Sequence, residues 1–206
     1  MRQMTDHVLE IIKGALPMLG PCIDFQATFN ATQVSTITGG FIPRGRCVSL
    51  NSSGEWVLGV GASNAALSVP FFLLSNSDDY DVKNDGGTLS TDYNAWSPAT
   101  PTGKGQAVCG LHAGELETTE FNSALNYAIN NALTAPLQSS GTASDLLNTA
   151  GVLTNASIKP YQNTVVGFVS KTFTAASPTK NAHGKKVLRF WSWFIPKIDG
   201  SGITYN

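Results

Sequence analysis

The chain contains the stretch Arg44-Gly45-Arg46-Cys47-Val48-Ser49-Leu50-Asn51-Ser52-Ser53-Gly54-Glu55-Trp56-Val57-Leu58. Residues 51–54 favour tight turns, and the runs on either side are rich in side chains that favour strands. The stretch therefore predicts a β-hairpin with strands at 46–50 and 55–60. A third strand is predicted at 69–74, where both alternating faces are apolar, as expected of a strand that is covered on both sides.

The composition of the whole chain fits the same kind of structure. At 206 residues it is long enough for one sizeable domain, or for one domain with arms. Charged residues make up only 13% of it, and Gly, Ser, Thr and Asn are abundant. This balance suits short strands joined by many turns better than helical bundles, so we expect a mainly β protein with long loops.

The N-terminal segment has a helical pattern instead. Its apolar side chains recur at helical spacing and Pro17 follows them, which predicts a short helix over residues 5–16. A helix of about three turns is only marginally stable alone in water, so its apolar stripe has to pack on this chain's own core or on a neighbouring subunit. We expect the helix and an extended arm in 1–40 and a β-rich domain in 41–206. The stripe consists of Val8, Leu9, Ile12 and Leu16.

The middle of the chain is less regular. Residues 105–111 and 115–119 predict another hairpin. Residues 121–161 are dominated by Asn, Ala, Thr and Ser, with one short helix predicted at 144–148. We interpret this region as an irregular insertion, which either lies over a partner or is mobile.

Two strands are predicted near the C-terminus, at 164–174 and 187–195. In the second of these both faces carry large side chains, so each face needs a cover. One face can fill the core, and the other is covered either by a loop of this chain or by another subunit. The first face has Leu188, Phe190 and Phe194, and the second has Arg189, Trp191, Trp193 and Ile195.

Charge and hydropathy argue against two kinds of partner. The formal net charge is −1, so the chain lacks the basic field that a nucleic-acid backbone requires. It has no run of 18 or more apolar residues and no pattern typical of a cleaved leader, so we expect no membrane partner and synthesis in a cytoplasm. The three cysteines, Cys22, Cys47 and Cys109, are expected to be buried free thiols.

Reactive motifs are also missing from the sequence: it has no nucleophile elbow, phosphate-binding glycine loop or paired metal-ligand motif. We therefore expect neither an enzyme nor a cofactor. Three weaker patterns have ordinary interpretations. The aspartates at 78–85 suit a solvated turn better than a calcium loop, because a lysine stands at a ligand position. Cys109 and His112 lack the second pair that structural zinc requires. The glutamates at 115, 117 and 120 are interpreted as solvated strand charge, not as a glycosidase acid pair.

Several segments resemble the head-decoration proteins, or capsid cement proteins, of tailed bacteriophages. They occur in that family's order and cover about half of the chain. The segments are 44–58, 70–82, Gly114-Glu115-Leu116-Glu117-Thr118-Thr119-Glu120-Phe121, Val165-Val166-Gly167-Phe168-Val169-Ser170 and Val187-Leu188-Arg189-Phe190-Trp191-Ser192-Trp193-Phe194-Ile195-Pro196.

The resemblance implies a compact β-barrel or β-sandwich that binds the outside of an assembled capsid. It also implies a homo-oligomer, dimer or trimer, that ties neighbouring major capsid protein subunits together. The expected location is the outer surface of the virion, after synthesis in the host bacterial cytoplasm. The N-terminal helix and the Asn-rich 121–161 region depart from the usual pattern of the family.

The resulting hypothesis is a structural virion protein that stabilises the capsid shell. Two alternatives remain: a carbohydrate- or receptor-binding β-module of a virion, and a tail-tube or head-completion subunit. The first would bind glycans as an isolated domain, and the second would assemble with itself into rings or tubes. The residues expected to contact the capsid or another subunit are Val8, Leu9, Ile12, Leu16, Tyr80, Trp96, Trp191 and Trp193.

Overall fold

The structure, a computed structural model, describes residues 8–13, 22–24, 42–51, 53–60, 69–73, 106–109, 114–136, 150–156 and 164–195. Within these residues the chain forms eleven strands and no helix, so the expected mainly β class is confirmed. The strands are β1 (Leu9–Lys13), β2 (Cys22–Asp24), β3 (Cys47–Leu50), β4 (Trp56–Leu58), β5 (Phe71–Leu73), β6 (Gln106–Cys109), β7 (Glu115–Thr118), β8 (Ala132–Thr134), β9 (Thr154–Asn155), β10 (Val165–Val169) and β11 (Leu188–Ile195).

The strands form two antiparallel sheets. A six-stranded sheet has the order β1-β7-β11-β10-β8-β9, and a five-stranded sheet has the order β2-β6-β5-β3-β4. No closed barrel is formed by the described residues, and the arrangement is compatible with a sandwich. The predicted hairpin is confirmed, since β3 and β4 pair directly across the turn that follows Leu50.

A shared core joins the two sheets. Phe72 of β5 and Phe190 of β11 are fully buried, and their ring centroids lie 5.3 Å apart. The other face of the five-stranded sheet is also covered, because Trp56 packs edge-on against Phe71 in a second buried cluster. Side chains on both faces of β3 and β5 are therefore buried, as expected for the apolar segment 69–74.

The prediction of an N-terminal helix over 5–16 is wrong for the residues that the structure describes. Residues 9–13 form strand β1, which pairs antiparallel with β7 and lies at the edge of the six-stranded sheet. The segment contains β-branched Ile11 and Ile12, which favour strands. A short helix is marginal in water, so hydrogen bonding to β7 outweighs the helical spacing of the apolar residues.

The hairpin expected at 105–119 is also wrong. Strand β6 belongs to the five-stranded sheet and pairs with β2 and β5, whereas β7 belongs to the six-stranded sheet and pairs with β1 and β11. The segment between β6 and β7 therefore crosses from one sheet to the other. Neighbouring strand patterns in a sequence indicate two strands, but they do not determine whether those strands pair with each other.

The region interpreted as an irregular insertion contributes several of its described residues to the core. Strands β8 and β9 lie in it, and the Tyr127 ring is fully buried against Phe121 and Phe173, with ring centroids 5.9 and 6.1 Å away. The Tyr127 hydroxyl donates a hydrogen bond to the Asn122 carbonyl at 2.9 Å. The helix predicted at 144–148 lies outside the described residues.

Burial of Tyr127 predicts a loss of stability in strong alkali. Burial raises the pKa of Tyr127 to about 12, although a hydrogen bond with the Thr154 side chain lowers it. Between pH values of about 10 and 12 the unfolded chain has lost this proton and the folded chain still holds it. The free energy of unfolding is therefore expected to fall as pH rises through this window.

Urea denaturation at several pH values, for the wild type and Tyr127→Phe, measures this effect. The variant has no ionisable group at this position, so its free energy of unfolding should fall less steeply above pH 10 than that of the wild type. Equal slopes for the two proteins would contradict the prediction.

Candidate contact surface on strand β11

Strand β11 lies at the centre of the six-stranded sheet and separates its side chains by face. Leu188, Phe190 and Ser192 are buried on the core side. Trp191 and Trp193 alternate with them and are 43% and 50% exposed. This confirms the alternation expected from the sequence, and it places two large aromatic side chains on the outer face of the sheet.

Neighbouring strands add charged and aromatic groups to this outer face. Directly opposite Trp191 lie Glu115 on β7 and the half-buried Phe168 on β10. Arg189 lies opposite Glu117, and its Nε donates a hydrogen bond to Glu117 Oε2 at 2.5 Å. We call this surface, made of Phe168, Arg189, Trp191 and Trp193 with Glu115 and Glu117 beneath them, the β11 face.

The β11 face is held on a rigid support. Strand β11 pairs with β7 from Leu188 to Trp191 and with β10 at residues 190–192 and 195, so its backbone is paired along both edges at Trp191, and the register with β10 shifts between Ser192 and Ile195. Residues two apart in a strand lie about 7 Å from each other on the same face, which sets the spacing of the two tryptophans. A partner that binds here meets side chains whose backbone is already fixed, so little backbone entropy is lost on binding.

The expectation that the glutamates at 115, 117 and 120 are solvated is wrong. Glu115, Glu117 and Glu120 are all buried. Glu117 is paired with Arg189 and Glu120 with Arg46, each at 2.5 Å, and these partners lie 72 and 74 residues away in the sequence. A carboxylate is buried in a protein only when it is paired or hydrogen bonded, and local sequence does not identify a partner at such a distance.

The remaining predicted contact residues differ in position. Val8 and Leu9 are buried, and Leu9 belongs to the shared core, so this chain's own core is the correct alternative for these two side chains. Ile12 is half-buried on the edge strand β1. Leu16, Tyr80 and Trp96 lie outside the described residues. Of the predicted contact residues, Trp191 and Trp193 are therefore the two that the structure brings together on one exposed face.

The described part of the chain lacks two further features. Nowhere in it do three His, Cys, Asp or Glu side chains group closely enough to hold a metal ion. It also contains no helix with the length and hydropathy needed to cross a membrane. The aspartates of 78–85 and His112 lie outside the described residues.

The fold and the β11 face together define a mainly β protein with an exposed aromatic surface on a central strand. Comparison with known proteins finds no matching family model, no matching curated protein and no matching solved structure.

Proposed function

We propose that this chain is a structural virion protein that binds the outer surface of a phage capsid and cements neighbouring major capsid protein subunits. The observation that carries the proposal is the pair of exposed tryptophans, Trp191 and Trp193, on the central strand of the six-stranded sheet. Trp and Arg are the residue types that dominate binding energy at protein interfaces, and the β11 face presents both. The resemblance to head-decoration proteins supports the same function.

The segments that carry the resemblance coincide with the framework of the fold. They include strands β3, β4, β5, β7, β10 and β11, three of which support or form the β11 face. The proposed partners are the major capsid protein and further copies of this chain, as a dimer or trimer. The proposed location is the outer surface of the virion, after synthesis in the bacterial cytoplasm, and the protein acts without catalysis or a cofactor.

The mechanism of stabilisation is thermodynamic linkage. A protein that binds the assembled shell but not the separated subunits shifts the equilibrium toward assembly. Each bound copy contributes in proportion to its occupancy, and a shell offers many equivalent positions. The free energy needed from each contact is therefore modest, and two tryptophans that become buried on binding are sufficient anchors.

Co-sedimentation with expanded capsids of the phage that encodes this chain, stripped of accessory proteins, tests the proposal. We expect saturable binding in a fixed ratio to the major capsid protein. Replacing both Trp191 and Trp193 by Ala should weaken binding by about 100-fold or more, since interface tryptophans contribute about 2 kcal/mol each. Ile129→Ala is the matched control, because Ile129 is also apolar and exposed but lies outside the β11 face.

Three results would contradict the proposal. The first is the absence of binding at micromolar protein, and the second is equal binding by the wild type and the double tryptophan variant. The third is binding without any rise in the temperature at which the shells dissociate, because linkage requires that rise.

The β11 face also fits a carbohydrate- or receptor-binding module. The two exposed tryptophans lie on the same face, beside the Arg189–Glu117 pair, and such rings can stack on sugars while polar groups bind hydroxyls. Glycan-array binding by the isolated protein, together with no binding to capsids, would select this alternative. Spontaneous assembly of the protein into rings or tubes would select a tail-tube or head-completion subunit instead.

A further inference from the structure

Two ion pairs in this chain have the same construction. In one, Arg46 Nε donates to Glu120 Oε2, and in the other, Arg189 Nε donates to Glu117 Oε2, both at 2.5 Å. Both glutamates are buried. A bond of this kind uses Nε and leaves the two terminal nitrogens of the guanidinium, Nη1 and Nη2, as donors for other acceptors.

The two pairs differ in what these terminal nitrogens meet. Arg46 Nη1 donates to the backbone carbonyl of Ala150 at 2.8 Å, so the first pair also holds a third segment of the chain. Among the described residues, the Arg189 side chain has Glu117 as its one hydrogen-bond partner. Neither terminal nitrogen of Arg189 is a buried atom without a partner, so both reach solvent. The second pair therefore lacks the backbone carbonyl that the first pair binds.

The second pair lies on the β11 face, beside an exposed tryptophan. The Arg189 side chain is 33% exposed and that of Glu117 only 2%, so the guanidinium has a buried partner on the protein side and open nitrogens on the solvent side. Arg189 and Trp191 are two residues apart on the same face of a strand, which separates them by about 7 Å. One partner segment can therefore reach the Arg189 nitrogens while a neighbouring apolar group packs on Trp191.

The charges around Arg189 favour an acceptor without charge. Glu117 already neutralises Arg189, and the exposed Glu10 of β1 lies directly opposite Glu117 on its other side. A partner carboxylate at Arg189 would meet these two carboxylates beside a single guanidinium, and like charges on neighbouring strands repel each other. A backbone carbonyl accepts the same hydrogen bond without that repulsion, as the Ala150 carbonyl does from Arg46.

We propose that Arg189 is a specificity-determining residue of the β11 face, whose terminal nitrogens donate to a backbone carbonyl of the major capsid protein. Glu117 is the positioning residue, because its bond to Nε orients the guanidinium before the partner binds. The matching partner surface is an uncharged loop or strand with a carbonyl about 7 Å from an apolar group that packs on Trp191. The inference rests on the proposed function and adds the chemistry of the contact.

Arg189→Lys tests the role of Arg189 in co-sedimentation with expanded capsids. Lysine keeps a positive charge beside Glu117 but replaces the planar set of donors with a single ammonium group. We expect a Kd about 10-fold higher than that of the wild type, since the hydrogen bond to the partner carbonyl is lost or misplaced. A cooperative thermal transition of the variant verifies that it is folded. A Kd equal to that of the wild type would overturn the inference.

Glu117→Gln and Glu117→Ala separate the position of the guanidinium from the charge beneath it. Glutamine retains an oxygen that accepts from Arg189 Nε but has no charge, whereas alanine removes the acceptor. We expect the Kd of the glutamine variant to stay within about 3-fold of the wild-type value and that of the alanine variant to be about 10-fold higher. Equal Kd values for the two variants would overturn the positioning role of Glu117.

The glutamine variant also identifies the acceptor on the partner. If that acceptor were a carboxylate, removal of the Glu117 charge would relieve repulsion and lower the Kd by about 10-fold. Such tightening would overturn the inference of an uncharged carbonyl.

The same assay distinguishes this inference from the proposed function. Wild-type binding that is lost in the double tryptophan variant but retained in Arg189→Lys would overturn the inference alone. Absence of wild-type binding would overturn both.

Discussion

Replacing Glu120 by alanine is expected to lower the free energy of unfolding by about 3–5 kcal/mol. The Glu120 Oε2 accepts a hydrogen bond from Arg46 Nε at 2.5 Å, and both side chains are less than a tenth exposed. Arg46 also donates from its Nη1 to the Ala150 carbonyl at 2.8 Å. Removing the carboxylate leaves the buried guanidinium without the charge of Glu120, which costs more than the pair itself contributes.

The position of this pair increases the expected effect. Arg46 immediately precedes β3 of the five-stranded sheet, and Glu120 lies two residues after β7 of the six-stranded sheet. The pair therefore connects the two sheets, and the bond to Ala150 adds the segment before β9. Loss of one partner weakens the contact between the two sheets. It also leaves the charge of the other partner buried away from water.

Urea denaturation measures this effect, and two further variants are informative. Glu10→Ala is the matched control, because Glu10 is exposed on β1, and we expect its effect to stay within about 0.5 kcal/mol. A double variant, Arg46→Met with Glu120→Leu, should recover most of the loss, since apolar residues of similar volume replace a buried ion pair at little cost. If Glu120→Ala and Glu10→Ala were equally stable, the Arg46–Glu120 ion pair would not stabilise the contact between the two sheets, which would contradict this prediction.

Gly45→Ala is expected to be comparably destabilising, by about 3–5 kcal/mol, for two separate reasons. Gly45 has a φ of 88°, which residues other than glycine rarely adopt. A Cβ added there would overlap the Thr118 hydroxyl and lie 3.1 Å from the Val8 carbonyl oxygen. The Thr118 hydroxyl also accepts a hydrogen bond from the Glu120 N–H, so it cannot move away without a further loss.

Gly54→Ala separates the two causes. Gly54 has a φ of 75°, but an added Cβ would meet no atom within 4 Å. The only cost there is that alanine disfavours a positive φ, so we expect the free energy of unfolding to fall by about 1–2 kcal/mol. Thermal or urea denaturation of both variants gives the comparison. Equal losses of unfolding free energy in the two variants would show that the close approach of Gly45 to β7 does not affect stability.

Features determined by neighbouring residues could be predicted from this sequence. The turn at 51–54 and its two strands follow from turn formers between strand formers, and the structure has them as β3 and β4. The alternation along β11 follows from the two-residue period of a strand, so the exposure of Trp191 and Trp193 was also accessible. These parts of the fold and of the β11 face require no knowledge of distant contacts.

Features that depend on distant contacts could not be predicted. The helical spacing of Val8, Leu9 and Ile12 is real, but pairing with β7, more than 100 residues later, makes this segment a strand. Glu117 and Glu120 are buried because arginines more than 70 residues away in the sequence pair with them. One signal in the sequence pointed to this burial, namely three glutamates within the six residues 115–120. Strand β7 has a neighbouring strand on each side, so its carboxylates are buried and need positively charged partners.

We propose that the β11 face of this protein meets the outer surface of a phage capsid at the boundary between its subunits. A cryo-electron microscopy map of expanded capsids saturated with the protein tests this claim directly. We expect copies at fixed positions of the shell, each spanning neighbouring major capsid protein subunits, with Trp191 and Trp193 at the contact. Ordered copies whose β11 face points to solvent, or capsids without any bound density, would contradict it.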